Sequence, residues 1–213
     1  GANKPKLVVV ISYDQFRGDY PTRFADVWGT KGFKRLAAEG SYAPHCMYNH
    51  ASNMTGPGHA TLLTGVYPAK SGIVSNEFYD RTERRTLNCV GDSLTRTFGV
   101  AGADGGISPR NLVAPTIGDL LREKTPASKV IGISVKDRGG VLMAGHKANL
   151  VAWLEPSGRG FTTSTFYAAA LPEWLVSWNA KGMIASAAGK VWSQALPDNK
   201  YAMSDSLPWE GKF

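Results

Sequence analysis

A single threonine is positioned where a bound anion or a nucleophile would be expected. Thr55 lies just before a predicted helix, in which Pro57 suits the first turn and Gly65 the end. A hydroxyl at a helix N-terminus is surrounded by unpaired backbone N–H groups at the positive end of the helix dipole, a place that binds phosphate and favours an oxyanion. Threonine is also a common helix cap, so Thr55 alone allows either interpretation.

Two cations could act together on such an anion. Lys136 and Arg138 follow an apolar run at residues 129–135 and are two residues apart, so on an extended chain their side chains point the same way. An ammonium and a guanidinium fork there could clamp phosphate oxygens. Asp137 between them could point to the other side and form a salt bridge. A surface ion-pair cluster is the alternative interpretation.

A carboxylate and an amide complete the set of candidate residues. Asp14 ends the first apolar run, which is a usual place for a metal ligand, although it could also cap the following turn. Asn76 could donate its amide N–H to a phosphoryl oxygen, or could simply be a turn asparagine. None of the four histidines has the spacing of a zinc pair, so we assign no ligand role to any of them: His45, His50, His59 and His146.

The elements that position these residues are predicted to alternate as in an α/β sheet. Apolar, β-branched runs predict buried parallel strands at residues 6–14 and 129–135, and a further, edge-type strand at 41–50. Helices are predicted at 32–40, 53–65 and 116–124. Ligands of open α/β sheets bind beyond the carboxyl ends of the strands, so residues distant in sequence could meet there. After residue 150 the sequence predicts a hairpin turning at 156–158 and a short aromatic helix.

The amino-acid composition and charge limit the classes of partner that the chain is expected to bind. The chain has 213 residues, 43% of them apolar, and a net charge of +7. No apolar run reaches the roughly 18–20 residues that span a bilayer, so we expect no membrane segment. Lysine and arginine are scattered, which does not indicate a nucleic-acid groove, while a basic surface attracts anionic substrates. Cys46 and Cys89 could form a disulfide in an oxidising compartment or remain buried thiols.

The order of these motifs resembles the alkaline phosphatase superfamily. An apolar strand ends in DQFRGDY, followed by NMTGPGHATLLTGVYPAKSGI, NEFYD and KDRGG, and together they are similar to the threonine-nucleophile alkaline phosphatases of the PafA/PhoK type. The resemblance implies a three-layer α/β/α fold with a mostly parallel central sheet, incomplete in this chain. It assigns residues 1–150 to the N-terminal part of the phosphatase core and 151–213 to the start of an inserted accessory region.

The same resemblance implies zinc-dependent hydrolysis of phosphate monoesters through a covalent phosphothreonine. Thr55 would be the nucleophile and touch a zinc ion that Asp14 also holds. Asn76, Lys136 and Arg138 would contact the phosphoryl oxygens. Two zinc ions per complete site are implied, as is export to the periplasm or medium.

The chain departs from this family in its metal ligands. Beyond Asp137 it offers Asp198, Asp205 and a lone His146, with no DxxxH or D-H pair. We therefore expect the remaining C-terminal part of the enzyme to complete the site, and the 213-residue chain to be inactive alone. The alternatives are a nucleotide pyrophosphatase/phosphodiesterase of the same superfamily and a truncated, non-catalytic binding domain. A sulfatase is disfavoured, because it would need a cysteine or serine where this chain has Thr55, which is followed by Gly56.

Overall fold

The computed structural model describes residues 5–100, 105–191 and 193–201, with the Asp198 side chain and Asp205 outside the described part. The chain divides into two compact units. We call the described parts of residues 1–47 and 189–213 the terminal unit, and residues 48–188 the central unit. Neither unit contains a described helix long and apolar enough to cross a membrane.

The terminal unit is built around aromatic side chains. Helix α1 is Tyr20–Arg23 and helix α2 is Phe33–Glu39, which ends at Gly40 as predicted. Phe33 packs against neighbouring rings at centroid distances of 5.0–5.5 Å, and those rings are Tyr13, Phe16 and Trp28. A short 3₁₀ helix is Asp198–Lys200.

The sequence predicts two strands in this part of the chain, at residues 6–14 and 41–50, and both predictions are wrong. Residues 7–13 pair with no strand among the described residues, and Leu7 to Ile11 are 57–78% exposed. Residues 41–50 also form no strand. An apolar run becomes a buried parallel strand only when neighbouring strands cover it and satisfy its backbone groups, and the described chain provides none here.

Three small sheets form among the described residues of the central unit. Strands β1 (Glu77–Asp80) and β2 (Arg85–Asn88) form an antiparallel hairpin, and β3 (Gly91–Asp92) pairs antiparallel with β4 (Gly106–Ile107). The third sheet has the order β5-β6-β7, with β5 (Ile131–Ser134) parallel to β6 (Leu150–Leu154) and β6 antiparallel to β7 (Phe161–Thr162). The β6–β7 connection confirms the hairpin predicted around residues 156–158.

Five α-helices accompany these sheets in the described part of the unit, along with a 3₁₀ turn at Ala185–Ala187. The α-helices are α3 (Thr55–Thr64), α4 (Pro68–Ser71), α5 (Ile117–Lys124), α6 (Asp137–Ala144) and α7 (Glu173–Asn179). Helix α6 connects β5 to β6 and packs on both, forming a βαβ crossover, and it also packs against α3. Val141, Leu142 and Val151 are fully buried where α6 meets the sheet. The core therefore holds the starts of α3 and α6 in a fixed relation.

Strand β5 forms where predicted but is not buried. Ile131 and Ile133 are 59% and 63% exposed, while Gly132 faces α6, where an added Cβ would lie 3.0 Å from Ala144 Cβ. One face is therefore covered by α6. The two isoleucines on the other face stay exposed, so the prediction of a buried strand is wrong for that face.

Candidate active site

Thr55 is the first residue of α3 rather than the residue before it. Met54 is the N-cap and has an extended backbone, with no side-chain hydrogen bond to the helix. Thr55 is half-buried, and Gly56 to Ala60 behind it are buried. The prediction of Thr55 as a helix cap is thus wrong by one residue. Its hydroxyl still lies in the first turn, at the positive end of the helix dipole.

Asn76 is held directly against this turn. The Gly56 N–H donates to Asn76 Oδ1 at 2.7 Å. Because a backbone N–H can only donate, this bond fixes the orientation of the amide and leaves Nδ2 as its donor atom. A Cβ added at Gly56 would lie 3.1 Å from Cys89 Sγ and 3.2 Å from Asn76 Oδ1, which explains why this position suits glycine. Thr55 and Asn76 are therefore neighbours in the folded central unit.

His59 connects the two helix starts. Its Nδ1 lies 2.7 Å from the Thr55 carbonyl oxygen, which can only accept, so Nδ1 carries the proton. On the other side, a Cβ added at Gly139 would lie 3.9 Å from both Nε2 and Cδ2 of His59. The first turns of α3 and α6 are thus separated by a single imidazole ring.

The two predicted cations lie where α6 begins. Lys136 is its N-cap with extended backbone, and Asp137 is its first residue. Arg138 is therefore helical, so the expectation that Lys136 and Arg138 share one side of an extended strand end is wrong. Arg138 Nε is buried and has no hydrogen-bond partner in the described part of the chain. A buried N–H without a partner is uncommon in proteins and indicates a donor that an absent acceptor could satisfy.

Asp137 contacts the β1–β2 hairpin. Its Oδ1 accepts from the Arg138 N–H at 2.6 Å, and its Oδ2 accepts from Asn88 Nδ2 at 3.0 Å. Sequence reasoning missed Asn88, because the two residues are 49 positions apart. The sequence signal that could have placed Asn88 near this site was weak. It was the alternation of apolar residues in NEFYD and RTLNC, on either side of a turn, which indicates a hairpin.

Cys89 lies next to Gly56 and has an unreactive thiol. Burial raises the pKa of its thiol to about 11, although the positive charge of Arg138 opposes that rise. A thiol with such a pKa is protonated at neutral pH and is a poor nucleophile. Cys46 is exposed, and both cysteines are free thiols.

The structure brings together four of the five predicted site residues. Thr55, Asn76, Lys136 and Arg138 lie around the packed starts of α3 and α6. Asp14 belongs to the terminal unit, where it is exposed in a turn, and its role as a metal ligand stays a prediction. No group of three or more His, Cys, Asp or Glu side chains within the described ranges could hold a metal ion. The described residues therefore do not form a complete zinc site.

His146 has a structural partner. Its Nδ1 donates to Asp119 Oδ2 at 3.1 Å, and Asp119 also accepts from the backbone N–H groups of Thr116 and Lys147, at 2.9 and 2.6 Å. Burial opposes ionisation of Asp119, yet the hydrogen bonds from His146 and the two amides outweigh it and lower the pKa of its carboxyl to about 2. The hydrogen bond to Asp119 raises the pKa of His146. This network ties α5 to the turn after α6.

A cavity of about 510 Å³ adjoins the β1–β2 hairpin. Its charged lining mixes carboxylates with guanidinium groups, including Asp80, Asp92, Arg85 and Arg110. Asp92 is buried and binds Arg110 at 3.2 Å and the Ser108 hydroxyl at 2.7 Å. Because these charges largely neutralise one another, the cavity does not favour an anionic ligand.

Known proteins are similar to this chain in both sequence and fold. The model of the type I phosphodiesterase / nucleotide pyrophosphatase family matches residues 8–213. The alkaline phosphatase PhoV of Synechococcus elongatus is 38% identical over 213 residues, covering 99% of this chain and 39% of that protein. PafA of Elizabethkingia meningoseptica is 35% identical over 212 residues, with 98% and 39% coverage. A protein of Myroides odoratus named as a calcium-transporting ATPase is 38% identical over 202 residues, with 94% and 37% coverage.

The crystal structure of wild-type PafA superposes with a TM-score of 0.88 at 34% identity and covers 93% of this chain. The match confirms the predicted alkaline-phosphatase-like α/β fold. The chain spans about two fifths of the length of these relatives, 39% in the case of PafA, and corresponds to the N-terminal part of a PafA-like protein.

Proposed function

This chain belongs to the type I phosphodiesterase / nucleotide pyrophosphatase family, and from that premise we propose that it carries the nucleophile and the phosphoryl clamp of a phosphate monoesterase. The activity would belong to a longer polypeptide of the relatives' length. Within it, Thr55 is the nucleophile, and Asn76, Lys136 and Arg138 bind phosphoryl oxygens.

One observation carries the proposal: the starts of α3 and α6 are packed together around His59, with the four polar residues at that junction. Two helix N-termini, a lysine and an arginine concentrate positive potential in one place. Arg138 Nε is a buried donor that an incoming phosphoryl oxygen could satisfy. The charge that develops on those oxygens during transfer is what such donors stabilise.

In the proposed reaction, Thr55 Oγ attacks phosphorus as the bond to the leaving alcohol oxygen breaks. The Thr55 hydroxyl loses its proton, the alcohol gains one, and a phosphothreonine remains. Water then attacks phosphorus, the Oγ–P bond breaks, and a proton returns to Thr55, which releases inorganic phosphate. Asn76 Nδ2, Lys136 and Arg138 hold the phosphoryl oxygens through both steps.

The metal requirement is part of the proposal and concerns the longer polypeptide. The described residues do not make a complete metal site. We propose two zinc ions per complete site, with Asp14 and Thr55 as the ligands from this chain. The test is metal analysis: the longer polypeptide should carry about two zinc ions per chain, and the 213-residue chain alone should retain none and show no zinc-dependent turnover.

A solved PafA variant supports the four assignments by its spacing. That variant carries substitutions of a threonine and an asparagine 21 residues apart, and of a lysine and an arginine two residues apart. Thr55 and Asn76 are likewise 21 positions apart in this chain, and Lys136 and Arg138 are two apart. Four matching residue types at these intervals favour a shared arrangement.

The second candidate function is phosphodiester or pyrophosphate hydrolysis, because the matching family model is named for it. The Lys136–Arg138 pair favours the monoesterase. A dianionic terminal phosphate gains from two additional cations, whereas a diester has only one negative charge and must leave room for a second substituent.

The experiment compares p-nitrophenyl phosphate with bis-p-nitrophenyl phosphate in the longer polypeptide. We expect higher kcat/KM on the monoester and a fall of at least roughly 10³-fold for Thr55→Ala. Thr64→Ala, at the far end of the same helix, is the matched control and should keep nearly full activity. Acid quenching during turnover should yield a phosphopeptide containing Thr55. Equal activity of Thr55→Ala and wild type would refute the nucleophile assignment, and preference for the diester would favour the second candidate.

The compartment is a further proposal by analogy with the family, whose members are typically exported. We propose the periplasm or the medium, and cell fractionation of the source organism with an antibody against the chain tests it. Recovery of the protein in the cytosolic fraction would contradict this proposal.

A further inference from the structure

The open end of the β1–β2 hairpin is hydrogen-bonded to both halves of the candidate active site. Glu77 of β1 lies opposite Asn88 of β2, and the Cys89 N–H donates to the Asn76 carbonyl at 2.9 Å. The Asn76 side chain binds the start of α3, and the Asn88 side chain binds the start of α6. One short element is thus attached to both helices that carry the proposed nucleophile and clamp.

The orientation of the Asn88 amide is determined by its neighbours. The Val90 N–H donates to Asn88 Oδ1 at 3.1 Å, so the other end of the amide is the donor that faces Asp137. Asn88 Nδ2 then donates to Asp137 Oδ2 at 3.0 Å. A hydrogen bond to an ionised acceptor is about twice as strong as one between neutral groups.

Asp137 transmits this contact to the clamp. It lies between Lys136 and Arg138 in the chain, and its second oxygen accepts from the Arg138 N–H at 2.6 Å. The carbonyl of Lys136 accepts from Ser134 Oγ at 2.6 Å, which fixes the chain just before the helix. With both oxygens engaged, the Asp137 carboxylate sets where the first turn of α6 lies relative to the hairpin, and hence relative to Asn76 and Gly56.

We propose that Asn88 is a positioning residue that acts through Asp137. It keeps the start of α6, with Lys136 and Arg138, at the distance from Thr55 and Asn76 that binding of the phosphoryl group requires. The inference rests on the proposed function of that site. Asn88 touches neither substrate nor reacting atoms in this account. Loss of its hydrogen bond lets the start of α6 shift, and displacement of catalytic groups by about 1 Å can cost up to about 10²-fold in rate.

The test is an exchange of the two side chains in the longer polypeptide. Asn88→Asp places two carboxylates against each other, and Asp137→Asn places two amides there. The double variant Asn88→Asp/Asp137→Asn restores every contact: the new carboxylate accepts from Val90 N–H and from the new amide, whose oxygen accepts from Arg138 N–H. Asn111→Ala is the matched control, because Asn111 Nδ2 donates to the Cys89 carbonyl at 3.1 Å and so binds the same hairpin at a different atom.

The readouts are kcat/KM for a phosphate monoester and the inhibition constant of inorganic phosphate. Each single variant should lower kcat/KM and raise the phosphate inhibition constant by about tenfold, corresponding to about 1.4 kcal/mol. The exchange variant should recover to within about threefold of wild type, and Asn111→Ala should leave both constants unchanged within that margin. Circular dichroism and thermal unfolding establish that each variant is folded. If Asn88→Asp does not fold, Asp137→Asn against the exchange variant makes the same comparison.

Two results overturn the inference. One is a phosphate inhibition constant that stays within about twofold of wild type in folded single variants, and the other is an exchange variant no better than the single variants. Either can occur while Thr55→Ala is inactive, in which case the proposed function stands and only the role of Asn88 fails. If Thr55→Ala is fully active, the proposed function itself is wrong.

Discussion

Replacement of Asp119 by asparagine should destabilise the fold more than any exposed charge substitution on the same helix. The carboxylate is 4% exposed and accepts three hydrogen bonds, from His146 and from the amides of Thr116 and Lys147. An asparagine keeps one acceptor oxygen and turns an NH₂ group toward a donor. A buried donor is then left without its acceptor, at a cost of about 1–3 kcal/mol.

The magnitude also follows from the titration of the carboxyl. Folding lowers the pKa of Asp119 from 3.8 to about 2. At 1.36 kcal/mol per pKa unit, this corresponds to about 2 kcal/mol of stability at neutral pH. Both estimates describe the same three hydrogen bonds, so they are not added. Asp119→Asn should lose about 2–3 kcal/mol, which lowers Tm by about 4–12 °C in a chain of this size.

The assay is thermal and urea unfolding of the 213-residue chain at pH 7. Glu123→Gln is the matched control, one turn further along α5, because Glu123 forms an exposed ion pair with Lys147 at 3.0 Å. Such a pair contributes about 0–1 kcal/mol. The sign of the pH dependence is fixed: the contribution of Asp119 is complete above its unfolded pKa of 3.8 and is lost as pH falls through about 2. Equal stability of Asp119→Asn and Glu123→Gln would refute the reasoning.

Three further perturbations test the packing around this network. The pKa of His146 is raised by its hydrogen bond to Asp119, so its contribution to the free energy of unfolding is complete below about pH 6.5 and is lost as pH rises through the folded pKa. In urea unfolding, the difference in stability between wild type and His146→Asn should therefore narrow from pH 6 to pH 9. Leu142→Ala, at a fully buried position, should cost about 2–5 kcal/mol, and Leu142→Met less than about 1.5 kcal/mol. Gly145 has φ of +82° and an added Cβ would overlap Asp119 and Thr116, so Gly145→Ala should lower Tm far more than Gly158→Ala, where φ is +73° but the space is open.

Local signals predicted four of the seven described α-helices, namely α2, α3, α5 and α7, but not α1, α4 or α6. Thr116 caps α5 through a capping box with Asp119, and Gly65 ends α3 in the left-handed conformation at φ 69°. These signals depend on residues within one turn, so the sequence alone reveals them. The hairpin around Gly158 was predictable for the same reason, since its φ of 73° suits glycine.

Contacts between distant residues were not predictable from local pattern. The run at residues 7–11 has the composition of a buried strand, but burial depends on neighbours that composition cannot supply. Asn88 and Asp137 meet only because the β1–β2 hairpin lies against the start of α6. The candidate site was found from the order of its motifs, while the residue that joins its two halves required the fold.

The exposed run from Leu7 to Ile11 has a practical consequence for handling the chain. Five consecutive apolar residues, four of them β-branched, are exposed with no charge among them, and Lys6 and Asp14 are the nearest charges on either side. Such segments stack into intermolecular β-structure when chains meet. Flanking charges act as gatekeepers that slow this process. We expect the purified chain to stay monomeric best in dilute solution at low ionic strength, where repulsion between molecules with a net charge of +7 is least screened.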